Sequence, residues 1–223
     1  MKITTASVTI EDKINGDELI RKIETAGRTC YKSEDKIAKG TAEAFIKRII
    51  SSGHESVIEH EKVTVRFVCD RGVSHELVRH RIASFSQEST RYCNYANNRF
   101  GNEITVIEPC YWENNDKMKA LWLQAMADAE RHYFELIENG ANAQEARSVL
   151  PNSLKTEIVV TMNLREWRHF FKLRTVKNAH PQMREIAVEA LVMFKEAILM
   201  VFDDIPIPEE AKGDSVLRGV IVI

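Results

Sequence analysis

The 223-residue sequence has few cysteines, no large excess of charge of either sign and no long apolar run. Cys30, Cys69, Cys93 and Cys110 are scattered, and none stands in a C-x-x-C pair, so neither a zinc knuckle nor a thioredoxin-type redox pair is suggested. With 31 basic against 33 acidic side chains the formal net charge is −2. No global basic field therefore draws the chain to nucleic acid, and any anion site must come from local clustering. No stretch reaches the length of a membrane span. The opening "MKITTASVTI" alternates polar and apolar residues and lacks the continuous apolar region of a signal peptide. The expectation is a cytoplasmic protein with reduced thiols that binds neither membrane nor nucleic acid.

What is present is ordinary for a globular fold: 44% hydrophobic and 29% charged residues. "KITTASVTI" reads as an edge strand. Residues 16–30 and 40–51 read as helices, the second stopping at Gly53. "EKVTVRFVCD" (61–70) alternates Val63, Val65 and Phe67 against Thr64, Arg66 and Val68, the pattern of a half-buried strand. A short helix through "SHELVRHRI" and a polar loop follow, then a short strand in "EITVIEP". A long helix over 115–138 carries Met118, Leu121, Trp122, Ala125 and Met126 on one face. A helix at 142–150, a strand at 154–163, a helix at 164–174 and a long helix at 181–203 complete the chain. The last aligns Ala187, Leu191, Phe194, Ile198 and Phe202 on one stripe, and the tail "GVIVI" suggests a final strand. Without repeats or linkers, the chain is expected to form one α+β domain over 1–223.

Several short segments carry candidate chemistry. "HELVRH" invites a zinc reading, but His75 and His80 lie five residues apart, about 140° around a helix. They cannot share one metal from one helix face, and no metal is expected. In "HESVIEH", Ser56 and Glu59 have the spacing of an N-cap box. Alternatively His54 and the Ser56 hydroxyl contact a ligand. In "NLREWRHFFKLR", Asn163 and Glu166 again match a cap, Trp167, Phe170 and Phe171 fall on a core face, and Arg165 and His169 share the other face. Arg147 ends a separate helix, where a cation suits the negative end of the dipole.

The stretch "RHRIASFSQESTRY", Arg79 to Tyr92, holds three arginines, a histidine, one glutamate and three serines in fourteen residues. Most such clusters are solvated helix faces with internal pairing. Here Ile82, Ala83 and Phe85 demand packing, and only Glu76 and Glu88 offset Arg79, Arg81 and Arg91 in the local sequence. The planar fork of arginine suits phosphate and carboxylate, and serine hydroxyls with turn N–H groups complete an anion cradle. The residues alone indicate a phosphate-bearing ligand.

The pattern Arg79-His80-Arg81, seven residues, then Ser89 resembles the signature of the flavin-dependent thymidylate synthases. "HESVIEH" resembles that family's His-x-Ser/Thr-x-x-Glu-His turn, "ARSVLP" its Ala-Arg-x-x-Leu-Pro segment, and "TMNLREWRHFFKLR" its C-terminal Asn-x-Arg … Leu-Arg helix. The resemblance covers about residues 54 to 185 in the expected order. It implies a homotetramer with shared active sites and a central, largely antiparallel sheet flanked by helices. It also implies methylation of dUMP to dTMP with 5,10-methylenetetrahydrofolate as carbon donor and FAD reduced by NADPH as hydride carrier. By resemblance, His54, Ser56, Glu59, Arg79, His80, Arg81, Gln87, Asn163, Arg165 and His169 contact FAD. Glu76, Arg79, Gln87, Glu88, Ser89, Arg91, Arg147 and Arg174 surround dUMP. The chain departs from the family pattern at Glu76, where members often carry glutamine, and at Gln87 and His169, where asparagine is common. Arg174 is the expected catalytic residue. With a pKa above about 12 it is a poor base, and it acts instead as an electrostatic stabiliser of the uracil anion. Two competing readings use the same residues: a nucleotide- or RNA-binding module stacking bases on Tyr92 and Tyr95, and an unrelated flavoprotein.

Overall fold

The structure, a computed structural model, describes residues 1–112 and 114–209; the expected strand "GVIVI" lies outside the described residues. In chain order the elements are β1 (Lys2–Thr4), β2 (Ser7–Ile10), α1 (Gly16–Thr29), α2 (Thr41–Ser51), β3 (Lys62–Asp70), α3 (Arg71–Leu77), β4 (Ala83–Gln87), β5 (Thr105–Ile107), α4 (Asp116–Glu138), α5 (Ala143–Ala146), β6 (Lys155–Asn163), α6 (Leu164–Arg174) and α7 (Pro181–Phe202). A 3-10 turn, Glu55–His60, precedes β3. The fold is mixed α+β, built on a four-stranded antiparallel sheet of order β2-β3-β6-β4 with a separate parallel pair of β1 and β5.

Two local readings are corrected. The N-terminal segment is two strands, because its halves bond to different partners. Lys2 N–H donates to the Ile104 carbonyl, whereas Glu11 N–H donates to that of Thr64. The short helix expected through "SHELVRHRI" ends at Leu77, and Ala83–Gln87 beyond it forms strand β4. Its alternating half-buried and exposed positions have the period of a strand, which the density of polar residues masks in the sequence.

Packing groups the described chain into two compact units. One comprises Met1–Ser7, Phe67–Arg79 and Ser86–Val159; the other comprises Val8–Arg66, His80–Phe85 and the chain from Val160 on. Strands β3, β4 and β6 each contribute residues to both.

The first unit buries Tyr95, Ile104, Val106, Trp122, Met126, Tyr133, Ala146 and Leu154 together. Helix α4 turns Trp122, Met126 and Tyr133 inward, and the Trp122 indole N–H donates to Ser153 Oγ at 3.0 Å. Met118 and Leu121, expected on the core face, are 48% and 56% exposed. Burial on this helix begins at Trp122, whose indole bond holds the Trp122–Met126 face inward.

In the second unit α6 packs on α7 through an aromatic cluster. Trp167 and Phe194 ring centres stand 5.0 Å apart, and Phe171 reaches Phe202 at 5.6 Å. Each such ring contributes about 1.5–3 kcal/mol by burial. The expected stripe of α7 is buried throughout, although Ile198 leaves helical geometry at φ −146° and ψ 52°. The Trp167 indole N–H donates to the Val63 carbonyl at 3.0 Å, fixing α6 on β3. Gly27 permits α1 and α2 to approach: an added Cβ would stand 2.5 Å from Phe45 Cζ. Gly53, at φ +70°, ends the connection from α2 as expected.

Arg168 is the largest buried cation, with its side chain 1% exposed. Its guanidinium meets Asp204 at 2.6 and 2.7 Å and Glu55 at 3.0 Å, and also donates to the Val201 carbonyl. It therefore ties the 3-10 turn and the end of α7 to α6. Removing one partner of a buried ion pair costs about 3–5 kcal/mol. Asp204 is half exposed and recovers water, which favours the lower end of that range. Arg168→Met is expected to lose about 3 kcal/mol in urea unfolding; a loss below about 1 kcal/mol would show that the clamp is dispensable.

Candidate active site

The expected ligand-binding residues fall into two sets, one in each unit. In the second unit the organising side chain is His80, 5% exposed. It sits beyond the end of α3 at Leu77, so it does not share a helix with His75 at all. Its Nε2 lies 3.2 Å from Arg174 Nε, and its Nδ1 lies 3.2 Å from Glu166 Oε1. Arginine Nε can only donate, so His80 Nε2 accepts. The ring is therefore neutral with its proton on Nδ1, which donates to Glu166. Burial, with the Arg174 cation adding to it, pushes the His80 pKa down against the opposing pull of Glu166. His80 is also packed edge-on against Phe170 at 5.1 Å and His169 at 5.8 Å.

Helix α6 presents this group. Asn163 caps it as expected, accepting the Glu166 N–H at 2.8 Å. Arg165 and His169 are exposed on the face opposite the aromatics, also as expected. Arg165 donates to Glu59 at 2.5 Å, so these two expected FAD contacts are paired with each other. The Ser56–Glu59 cap reading is corrected: no side chain caps the 3-10 turn, and the Glu59 carboxylate is drawn to the Arg165 guanidinium instead. His54 and Ser56 line a cavity of about 660 Å³ with Arg28, Lys36, Arg48 and Phe45. The Arg28 guanidinium stands 4.9 Å from the Phe45 ring centre and is held by buried Glu24 at 2.7 Å. Arg81 is exposed.

In the first unit Gln87 Nε2 donates to Ser74 Oγ at 2.8 Å and to Thr156 Oγ1 at 3.2 Å. Glu88 accepts from Tyr95 Oη at 3.0 Å and from Lys155 at 3.2 Å. Burial, strengthened by Glu88, pushes the Tyr95 phenol far up and keeps its proton in place. Tyr95 is thus a buried donor and cannot stack a base, while Tyr92 is 78% exposed beneath the Arg91 guanidinium at 5.3 Å. Ser89 Oγ accepts the Arg91 N–H at 3.3 Å, and among the described residues no histidine or carboxylate bonds to it. Arg147 donates to Thr90 at 3.3 Å and Arg91 to Gln144 at 3.5 Å, both arginines being exposed. Glu76 is half-buried and Arg79 exposed.

Sequence reasoning did not single out Lys155, Thr156, Ser74, Arg28 or Arg48. The signal for Lys155 was its alternation with Glu157 on one face of β6. His80, Glu166 and His169 could offer ligand atoms within 4.8 Å of one another. Both nitrogens of His80 are already engaged, however, and the Arg174 cation at one of them opposes a metal ion.

A family model described as thymidylate synthase complementing protein matches residues 14–198. A flavin-dependent thymidylate synthase of Geobacter sulfurreducens is 38% identical over 80% of this chain and 78% of that one. Its counterpart from Corynebacterium glutamicum is 34% identical over 98% of this chain and 91% of that one. The crystal structure of the UMP/dUMP methylase PolB from Streptomyces cacaoi bound with 5-Br dUMP superposes with a TM-score of 0.77, covering 91% of this chain and 96% of that one. At 21% identity it speaks to the fold alone.

The depressed pKa of His80 has a consequence for stability. A histidine held below its ordinary value near 6.5 binds its proton less well folded than unfolded. Its contribution is complete above about pH 6.5 and is lost as pH falls toward the depressed folded value. Wild type is therefore expected to lose stability relative to His80→Gln between about pH 7.5 and pH 5. Glu189, whose carboxyl is pushed up to about 7 mainly by burial, acts in the opposite sense but is common to both proteins and cancels. Urea midpoints of the two proteins across that range check this; a constant difference would mean His80 does not titrate differently on folding.

Proposed function

The chain belongs to the thymidylate synthase complementing protein family of flavin-dependent thymidylate synthases and converts dUMP to dTMP; we propose that it takes the new carbon from 5,10-methylenetetrahydrofolate and uses FAD reduced by NADPH. Bound FAD would supply the hydride that the overall reductive methylation requires. The donor set fits such a group. Arg28, Lys36, Arg48, His54 and Ser56 offer cations and N–H or O–H donors to a pyrophosphate, and Phe45 lies in the same cavity wall for an aromatic ring. Asn163, Arg165, His169 and Arg81 extend the cofactor set, with Glu59 orienting Arg165, while the buried His80 acts through Arg174.

The observation that carries the reading is the hold of a neutral, buried His80 on Arg174. A guanidinium fixed through its Nε stabilises charge that develops on the uracil ring without having to reorganise. Arg174 is thus the electrostatic catalyst. Arg91, Arg147 and Arg79 supply the cations for the dUMP phosphate, while Gln87 and Glu76 serve as polar contacts to the nucleotide. Glu88, committed to Tyr95 and Lys155, braces the turn that carries Ser89. Ser89 orients dUMP and is not a nucleophile, because a serine nucleophile needs a base within reach.

We assign the working assembly as a homotetramer, four chains of 25.6 kDa, or about 100 kDa, with shared sites. Light scattering on the active protein is expected to give that mass; an active monomer would exclude sharing. Purified protein is expected to carry yellow flavin and to form dTMP only when dUMP, methylenetetrahydrofolate and NADPH are all supplied. Ser89→Ala should lower single-turnover dTMP formation about 5- to 150-fold, the worth of one hydrogen bond of about 1–3 kcal/mol. A loss on the order of 10⁶, with dUMP affinity unchanged, would identify Ser89 as a covalent nucleophile.

A further inference from the structure

Glu166 stands at the third position of α6, three residues after the capping Asn163, where a glutamate ordinarily reaches back to the cap backbone and completes a box. Helix α5 does this: Asn142 and Glu145 exchange both bonds. In α6 only half of the box forms. Asn163 accepts the Glu166 N–H, but the Glu166 carboxylate turns to His80 Nδ1. The carboxylate is 11% exposed and the imidazole 3%, so neither is left to water. A buried carboxylate is costly unless it is hydrogen-bonded, which implies that something is gained at this place.

We propose that Glu166 is a positioning residue for the reaction: by holding the proton on His80 Nδ1 it presents the Nε2 lone pair to Arg174 and fixes the plane of that guanidinium. This deepens, and rests on, the assignment of Arg174 as the stabiliser of the uracil anion. The chain is directional. A carboxylate only accepts, so the Nδ1–H tautomer is selected; that tautomer exposes an acceptor at Nε2; and an acceptor there engages Arg174 Nε–H. Without Glu166 the imidazole is free to take the Nε2–H tautomer or a second proton, and either sets two donors against each other across 3.2 Å. The arginine then loses the bond that sets its plane. His169, at 5.8 Å, packs on the imidazole edge-on and is not hydrogen-bonded to it, so it does not choose the tautomer.

The test compares Glu166→Gln with Glu166→Leu, each loaded with flavin. Glutamine keeps an acceptor for Nδ1–H, whereas leucine keeps only bulk. Nitrogen-15 NMR of His80 is expected to show the Nδ1–H tautomer in wild type and Glu166→Gln and its loss in Glu166→Leu. Solvent exchange of the Arg174 Nε–H is expected to be slow in the first two and fast in the third. At saturating dUMP, kcat of Glu166→Leu should fall about 10- to 100-fold, the scale of a misplaced catalytic group. KM for dUMP should stay within about threefold, and Glu166→Gln should recover most of the rate. If Glu166→Leu does not fold, Glu166→Met, unbranched and without an oxygen acceptor, is read in its place with the same expectations. An Arg174 Nε–H that stays protected, or a kcat within about threefold of wild type in the non-accepting variant, overturns the proposal. So does a Glu166→Gln protein as slow as Glu166→Leu. The NMR arm reads the Glu166–His80–Arg174 linkage whether or not dTMP forms. An inactive wild type therefore counts against the proposed reaction, and an unchanged spectrum counts against the role of Glu166.

Discussion

The burial of Trp167, Phe170 and Phe171 on one side of α6 is the constraint on which the second unit depends. Once Trp167 and Phe171 are committed to α7, the helix cannot rotate, and the direction of every other side chain on it is settled. Arg165 and His169 must face outward, Glu166 must face His80, and Arg168 must find its neutralisation inside the protein. The indole bond to Val63 removes the remaining freedom by tying the helix to β3. Precision at the polar face is thus inherited from apolar packing, which resists displacement more strongly than any single hydrogen bond.

Much of this was legible in the sequence because it is periodic. The alternation of Val63, Val65 and Phe67 and the stripe of α7 both state a period and a buried face. The misread elements are those whose partners are distant. Nothing between Lys2 and Ile10 says that its halves serve two sheets, since that is decided by Ile104 and Thr64. Likewise β4 hides in a polar run because its period is carried by Ala83, Phe85 and Gln87, only one of which is strongly apolar. Met118 and Leu121 misled for the converse reason: they are apolar at helical spacing, but the buried part of that helix begins only at Trp122.

The candidate site was legible as a list of residues and not as a set of couplings. Arginine clusters announce an anion in a chain of net charge −2, but the sequence does not say which are already paired. Glu59 and Arg165 were both expected beside one cofactor, and they are also each other's counter-ion. Glu166 was read as a helix cap, a pattern so common that it concealed a second use of the same carboxylate. Tyr95 looked like a stacking platform because it lies near the arginine cluster, whereas its hydroxyl is spent on Glu88.

The four free thiols divide by environment. Cys69 is buried with its pKa pushed up to about 12, mainly by burial, so it stays protonated and inert. Cys93 and Cys110 are partly covered. Cys30 is exposed and forms part of the wall of the cavity that also holds His54 and Ser56. A thiol-directed dye therefore has an exposed target in Cys30, in the wall of that cavity, and its fluorescence senses whatever fills that space. The chain carries its own attachment point for an occupancy reporter, with no engineered cysteine required.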